Sequence, residues 1–143
     1  MAEIEFLKPD ASILARREKI VAQLAELVPA DCLISDEREL VPFETDGFTA
    51  YRRVPLAVVL PETTEQIAAV MKYLSREKVP VVARGAGTSL AGGAIPQEDA
   101  VVLGVSKMTR ILEIDYPNRI ARVEAGVTNI NISNEVDADG FFY

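Results

Sequence analysis

The chain has 143 residues, 49% of them apolar and 26% charged, with a formal net charge of -7, no histidine and one cysteine. That composition supports one ordinary buried core and excludes a disordered or fibrous chain; an acidic balance without a polybasic run also excludes nucleic acid and anionic membrane surfaces as partners. Cys32 has no disulfide partner in the chain, and without histidine there is neither a usual zinc ligand set nor the commonest general base, so no metal and no catalytic residue is assigned.

Residues 1–9 carry no periodic signal and read as an extended or loosely docked arm. Asp10 or Ser12 caps a helix whose apolar positions Ile13, Leu14, Ile20, Val21, Leu24, Leu27 and Val28 follow the 3.6-residue period until Pro29 ends it. From Ala30 to Pro55 the pattern is irregular and reads as a connecting region, with Leu33-Ile34 a short strand and Asp36 to Val41 a helical turn. Leu56 to Leu60 is an apolar run of strand length closed by Pro61. Thr63 and Gln66 form a capping box for a helix reaching about Lys78, with Ile67, Val70, Met71 and Leu74 on one face. Val79 to Ala83 returns as strand, so the spacing predicts a parallel βαβ unit.

That second strand runs into Arg84-Gly-Ala-Gly-Thr-Ser-Leu-Ala-Gly-Gly93, a turn without an acidic residue. Glycines at 85 and 87 let successive backbone N–H groups turn inward, Thr88 and Ser89 add hydroxyls, and Arg84 adds a fixed positive charge, which together suit a phosphate or pyrophosphate. The loop is not a P-loop, because no lysine follows Gly92. It is not a dinucleotide fingerprint opening a helix either, because Leu90 stands where the third glycine belongs. Its place at the carboxyl end of a parallel strand is where ligands of open α/β sheets gather.

Beyond the turn, Val101 to Leu103 reads as strand, and Ile111 to Asp115, Pro117-Asn118 and Ile120 to Glu124 read as a hairpin. Gly126 breaks it. Thr128 caps a helix through Ile132 and Val136, which Gly140 stops. Asp137-Ala-Asp139-Gly140 starts like a calcium loop but lacks the rest of the pattern. Phe141-Phe142-Tyr143 needs a packing partner, so the chain reads as cut within a larger folding unit, with an interface or docked tail as the other readings. No run approaches the roughly 20 apolar residues of a membrane span, and no signal pattern opens the chain. A cytoplasmic protein is expected, reaching the inner membrane only through partner subunits.

Four pieces in order resemble the FAD-linked oxidases of the vanillyl-alcohol oxidase and p-cresol methylhydroxylase type. They are Arg53 to Pro61 with Thr64-Glu-Gln-Ile, the loop Pro80 to Gly93, Met108 to Asp115, and Arg122-Val-Glu-Ala-Gly-Val127. The loop and Phe142-Tyr143 look most like the FAD subunits of bacterial glycolate oxidases, with D-lactate dehydrogenases close behind. The resemblance implies an α+β fold: the first subdomain of a PCMH-type FAD-binding domain over residues 53–143, preceded by a helical extension and connecting region over 1–52. Carried over by position, Arg84, Gly85, Ala86, Gly87, Thr88 and Ser89 would contact the FAD pyrophosphate, Gly92 would let backbone pass close to it, and Gly126-Val127 would lie near the nucleotide end.

The resemblance also implies oxidation of a 2-hydroxy acid, glycolate or D-lactate, with electrons passed to a partner subunit or quinone. Some family members tether the flavin through histidine, which this chain lacks, so FAD here is expected to be non-covalent. Substrate residues are expected beyond Tyr143, leaving this chain inactive alone. An uncovered sheet edge leaves room for self-association. A non-catalytic nucleotide- or anion-binding module is the alternative from another class.

Overall fold

The computed structural model describes residues 8–143, so the arm expected at the N-terminus falls mostly outside the described residues. Its centre is a four-stranded sheet of β1 (Leu33–Ile34), β2 (Ala57–Val59), β3 (Val81–Arg84) and β4 (Val101–Gly104), in the order β1-β2-β4-β3. β2 and β3 are joined through α4 (Thr64–Glu77) and run parallel, as the spacing predicts, but they are not neighbours. β4 lies between them, with Val101 level with Ala57 on one side and Val81 on the other. The reason is burial: β4 is buried along its whole length and β3 only in part, so the more apolar strand takes the centre.

Side chains alternate across the sheet, and each face has its own cover. Ala57, Val59, Val101 and Leu103 pack against Ile20 and Leu24 of α2 (Arg17–Ala25) and against Val70, Tyr73 and Leu74 of α4. Val58 and Val102 face the other way, onto Leu40 of α3 (Glu37–Leu40) with Ile34, Phe43, Val54 and Val82. The connecting region holds the short strand and helical turn expected in it, and these do more than connect: they cover the second face and supply the antiparallel edge strand β1.

Capping follows the sequence. Asp10 Oδ1 accepts the Ser12 N–H at 2.8 Å and Asp36 Oδ1 that of Arg38 at 2.9 Å. Thr63 Oγ1 accepts the Gln66 N–H at 3.2 Å, while Gln66 Oε1 accepts the Glu62 N–H at 2.8 Å. The single helix expected after Asp10 is instead two, α1 (Ala11–Leu14) and α2, with Arg16 at φ -102 and ψ 8 between them. Arg16 leaves the helical path where its guanidinium donates to Glu77 Oε2 at 3.0 Å and to the Glu77 carbonyl at 3.2 Å, bonds that dock this corner on the end of α4.

β5 (Ile111–Asp115) and β6 (Ile120–Val123) form a separate antiparallel hairpin, followed by α5 (Asn129–Val136). Its turn is set by Asp115, whose carboxylate accepts the Asn118 N–H at 3.0 Å and side-chain amide at 2.8 Å. The apolar hairpin residues are not all inward: Leu112 is 45% and Ile120 58% exposed. Glu124, just after β6, is buried and accepts both the Arg110 N–H at 2.8 Å and its guanidinium at 2.7 Å. The Arg110 side chain first, and its amide second, hold the Glu124 carboxyl below its ordinary value of 4.5.

Because the folded-state value lies below the unfolded one, this stabilisation is complete above about pH 4.5 and fades as pH falls through the lowered value. Glu124→Gln should lower the urea midpoint at neutral pH, and the gap from wild type should be smaller in acid, once the pH has fallen through the lowered value. An equal gap in acid and at neutral pH would show that the charge contributes nothing.

Candidate functional site

β2, β4 and β3 are parallel, so their carboxyl ends share one edge, and the glycine-rich loop leaves that edge from Arg84. The Arg84 carbonyl accepts the Val105 N–H at 3.0 Å, the last bond before the loop departs. From Ala86 to Leu90 the backbone is neither helix nor strand, and among the described residues none of those five N–H groups donates to a protein acceptor. They are exposed apart from Gly87, which is half-buried. Five consecutive donors without an internal partner suit an anionic ligand, since unpaired amides gain most from a charged acceptor.

Each residue of the candidate set has a distinct placement. Gly87 has φ +71 and lies directly over the Arg84 guanidinium; an added Cβ would stand 2.2 Å from its Nη2. Arg84 itself donates from Nη1 to the Thr45 carbonyl at 2.7 Å and lies 5.6 Å from the centre of the Phe43 ring. Its charge therefore sits beneath the loop, already engaged, and is not a free fork. Gly85 has open space where a Cβ would go, and Gly92 faces Ile95 and Phe48. Ser89 Oγ accepts the Ala91 N–H at 3.2 Å, closing a local turn, while the Thr88 hydroxyl has no partner among the described residues.

The structure adds residues from the irregular region between Ala30 and Pro55, to which the sequence reading gave no site role. Asp46 is 4% exposed, and its carboxylate accepts the Phe48 N–H at 2.9 Å and the Ala94 N–H at 3.3 Å. Gly47 lies against the carbonyl oxygens of Thr88 and Ser89. Asp46-Gly47 has the composition of a turn, and only its contacts 40 residues down the chain show a second use. Gly126 is packed onto the carbonyl of Val105, beside the edge where β4 ends, and its N–H donates to the Met108 carbonyl at 2.8 Å.

Two other features lie apart from the loop. Lys107 Nζ donates to Asp31 Oδ2 at 2.5 Å, and stands 3.3 Å from Cys32 Sγ and 3.4 Å from Glu62 Oε1. The ligand atoms of Asp31, Cys32 and Glu62 lie within 4.8 Å of one another, but the ammonium ion already occupies the place of a cation. Burial pushes the Cys32 thiol above its ordinary value, the opposite of an activated nucleophile. A groove of about 390 Å³ between the hairpin and α5 is walled by Ile114, Ile120, Ile132 and Phe141; it offers apolar surface and no cradle of amides.

Comparison with known proteins gives the family of the chain. Residues 55–143 match the FAD binding domain family. The glycolate oxidase subunit GlcD of Escherichia coli strain K12 is 42% identical over 127 residues, 89% of this chain and 26% of that protein. The D-lactate dehydrogenase of Archaeoglobus fulgidus is 46% identical over 71 residues, 50% of this chain and 16% of that protein. The structure of substrate-bound p-cresol methylhydroxylase superposes with a TM-score of 0.76 at 26% identity, covering 92% of this chain and 26% of that one. The chain thus covers between 16% and 26% of the length of these longer relatives. With its glycine loop at the sheet edge, its match over residues 55–143 and its p-cresol methylhydroxylase-type α+β architecture, the chain belongs to the FAD binding domain family.

Proposed function

We propose that these residues cradle the pyrophosphate of non-covalent FAD in a flavin-dependent oxidoreductase acting on a 2-hydroxy acid, glycolate first and D-lactate second. The observation that carries the reading is the row of unpartnered amides from Ala86 to Leu90 above the Arg84 guanidinium. Ala86, Gly87, Thr88, Ser89 and Leu90 supply the donors, Gly85 leaves the approach to them open, and Gly92 keeps the exit of the loop slim. The bound flavin would supply the acceptor for a hydride from C2 of the hydroxy acid. The chain's own part is to bind and orient, since no histidine is present to act as base or flavin tether.

Support for glycolate is the 42% identity to GlcD over most of this chain; support for D-lactate is the 46% identity over a shorter stretch. GlcD is a subunit, and an electron-accepting partner subunit belongs to this proposal. The apolar surface at Ile120, Phe142 and Tyr143, 58%, 89% and 70% exposed, is suited to such contacts or to self-association. Among the described residues no helix is long and apolar enough to cross a membrane.

Absorption spectroscopy of the purified protein tests the reading. A yellow preparation that releases intact FAD on mild denaturation, or a colourless one that regains the flavin spectrum with FAD, is the expected result. A protein that binds ADP but not FAD would replace it with the non-catalytic module. Residues 1–143 alone should show no glycolate turnover, and reduction of their flavin by glycolate would place catalytic groups inside them.

A further inference from the structure

One short segment touches the loop at four places. Thr45 accepts from Arg84 at the loop's start, Gly47 meets the carbonyls of Thr88 and Ser89 in its middle, and Phe48 and Asp46 meet Gly92 and Ala94 at its exit. This segment lies outside residues 55–143, the part that matches the family. An added Cβ on Gly47 would stand 2.7 Å from the Thr88 oxygen and 2.8 Å from the Ser89 oxygen, with the Thr88 carbonyl carbon farther at 3.1 Å. The Thr88 carbonyl therefore lies side-on against Gly47, an approach that leaves no room for a side chain there.

In a trans peptide the N–H points opposite to the C=O. The Thr88 carbonyl shares its peptide with the Ser89 N–H, and the Ser89 carbonyl with the Leu90 N–H. Seating both oxygens against Gly47 fixes the orientation of these two peptides, and with them the directions of two consecutive amides, the arrangement an anion hollow needs. Asp46 fixes the other end. Its buried carboxylate is satisfied by amides from two separate segments, and removing a buried acceptor leaves those donors unpaired.

We infer that Gly47 and Asp46 are positioning residues for the cofactor loop: Gly47 sets the direction of the Ser89 and Leu90 amides, and Asp46 holds the exit at Ala94. The inference rests on the pyrophosphate reading of the loop, and amide resonances test it separately from that reading. Gly47 lies outside the left-handed region, so Gly47→Ala changes space and not backbone preference. In ¹⁵N–¹H spectra it should shift the Ser89 and Leu90 resonances, leave those of Val58 and Val102 in place, and weaken FAD binding about tenfold.

Asp46→Asn, which keeps one acceptor and loses the other, should move the Ala94 resonance and weaken FAD binding as well. It carries the comparison if Gly47→Ala fails to fold. Unmoved loop amides in the folded variants, or moved amides with an unchanged FAD dissociation constant, would overturn the inference. A wild-type protein that binds no FAD would instead remove the cofactor reading, and the resonance shifts would still decide what seats the loop.

Discussion

Gly126→Ala should destabilise the protein by about 2–3 kcal/mol and lower its melting midpoint by roughly 6–10 °C. The added Cβ would stand 2.0 Å from the Val105 oxygen and 2.8 Å from the Met108 oxygen, both backbone atoms that cannot rotate aside. Relief requires parting the strand that enters α5 from the segment that leaves β4, and with it the bond from the Gly126 N–H to Met108. Gly93→Ala is the control: no atom outside its immediate neighbours lies within 4 Å of the new Cβ, so its midpoint should stay near wild type. Thermal melts followed by circular dichroism decide it. Equal midpoints for the two variants would mean that the 105–108 turn yields freely, and that the hairpin is not held rigidly to the central sheet.

This joint also shows which features a sequence reveals. Local signals were legible because their physics is local: Thr63 and Gln66 announced a helix start, Leu56 to Leu60 a buried strand, and Pro117-Asn118 a turn. The glycine loop was legible as a turn leaving the carboxyl end of a strand because its residue types limit what its backbone can do. The order of the strands was not. β4 takes the centre through burial on both faces, a property decided by what surrounds it after collapse. The division of the first helix at Arg16 depends on Glu77, 61 residues away, and the brace at Asp46 on Ala94, 48 residues away. Asp-Gly in an irregular stretch signals a turn equally well with or without a loop to support.

A pair of glycine variants should separate binding from folding. Gly85→Ala adds a methyl that meets nothing in the chain, so the protein should melt as wild type while its affinity for FAD falls tenfold or more, about 1.4 kcal/mol, because only an approaching ligand feels the methyl. Gly87→Ala acts on both. Its φ of +71 costs an alanine roughly 1 kcal/mol, and its Cβ displaces the Arg84 guanidinium from Thr45 and Phe43, taking the positive charge from beneath the amides. It should lose some stability and nearly all FAD binding. The chain has no tryptophan, so titration is followed by the flavin's own emission. If Gly85→Ala binds FAD as tightly as wild type, the pyrophosphate does not approach the loop at its first glycine, and the diphosphate must lie nearer Thr88 to Leu90 than Gly85.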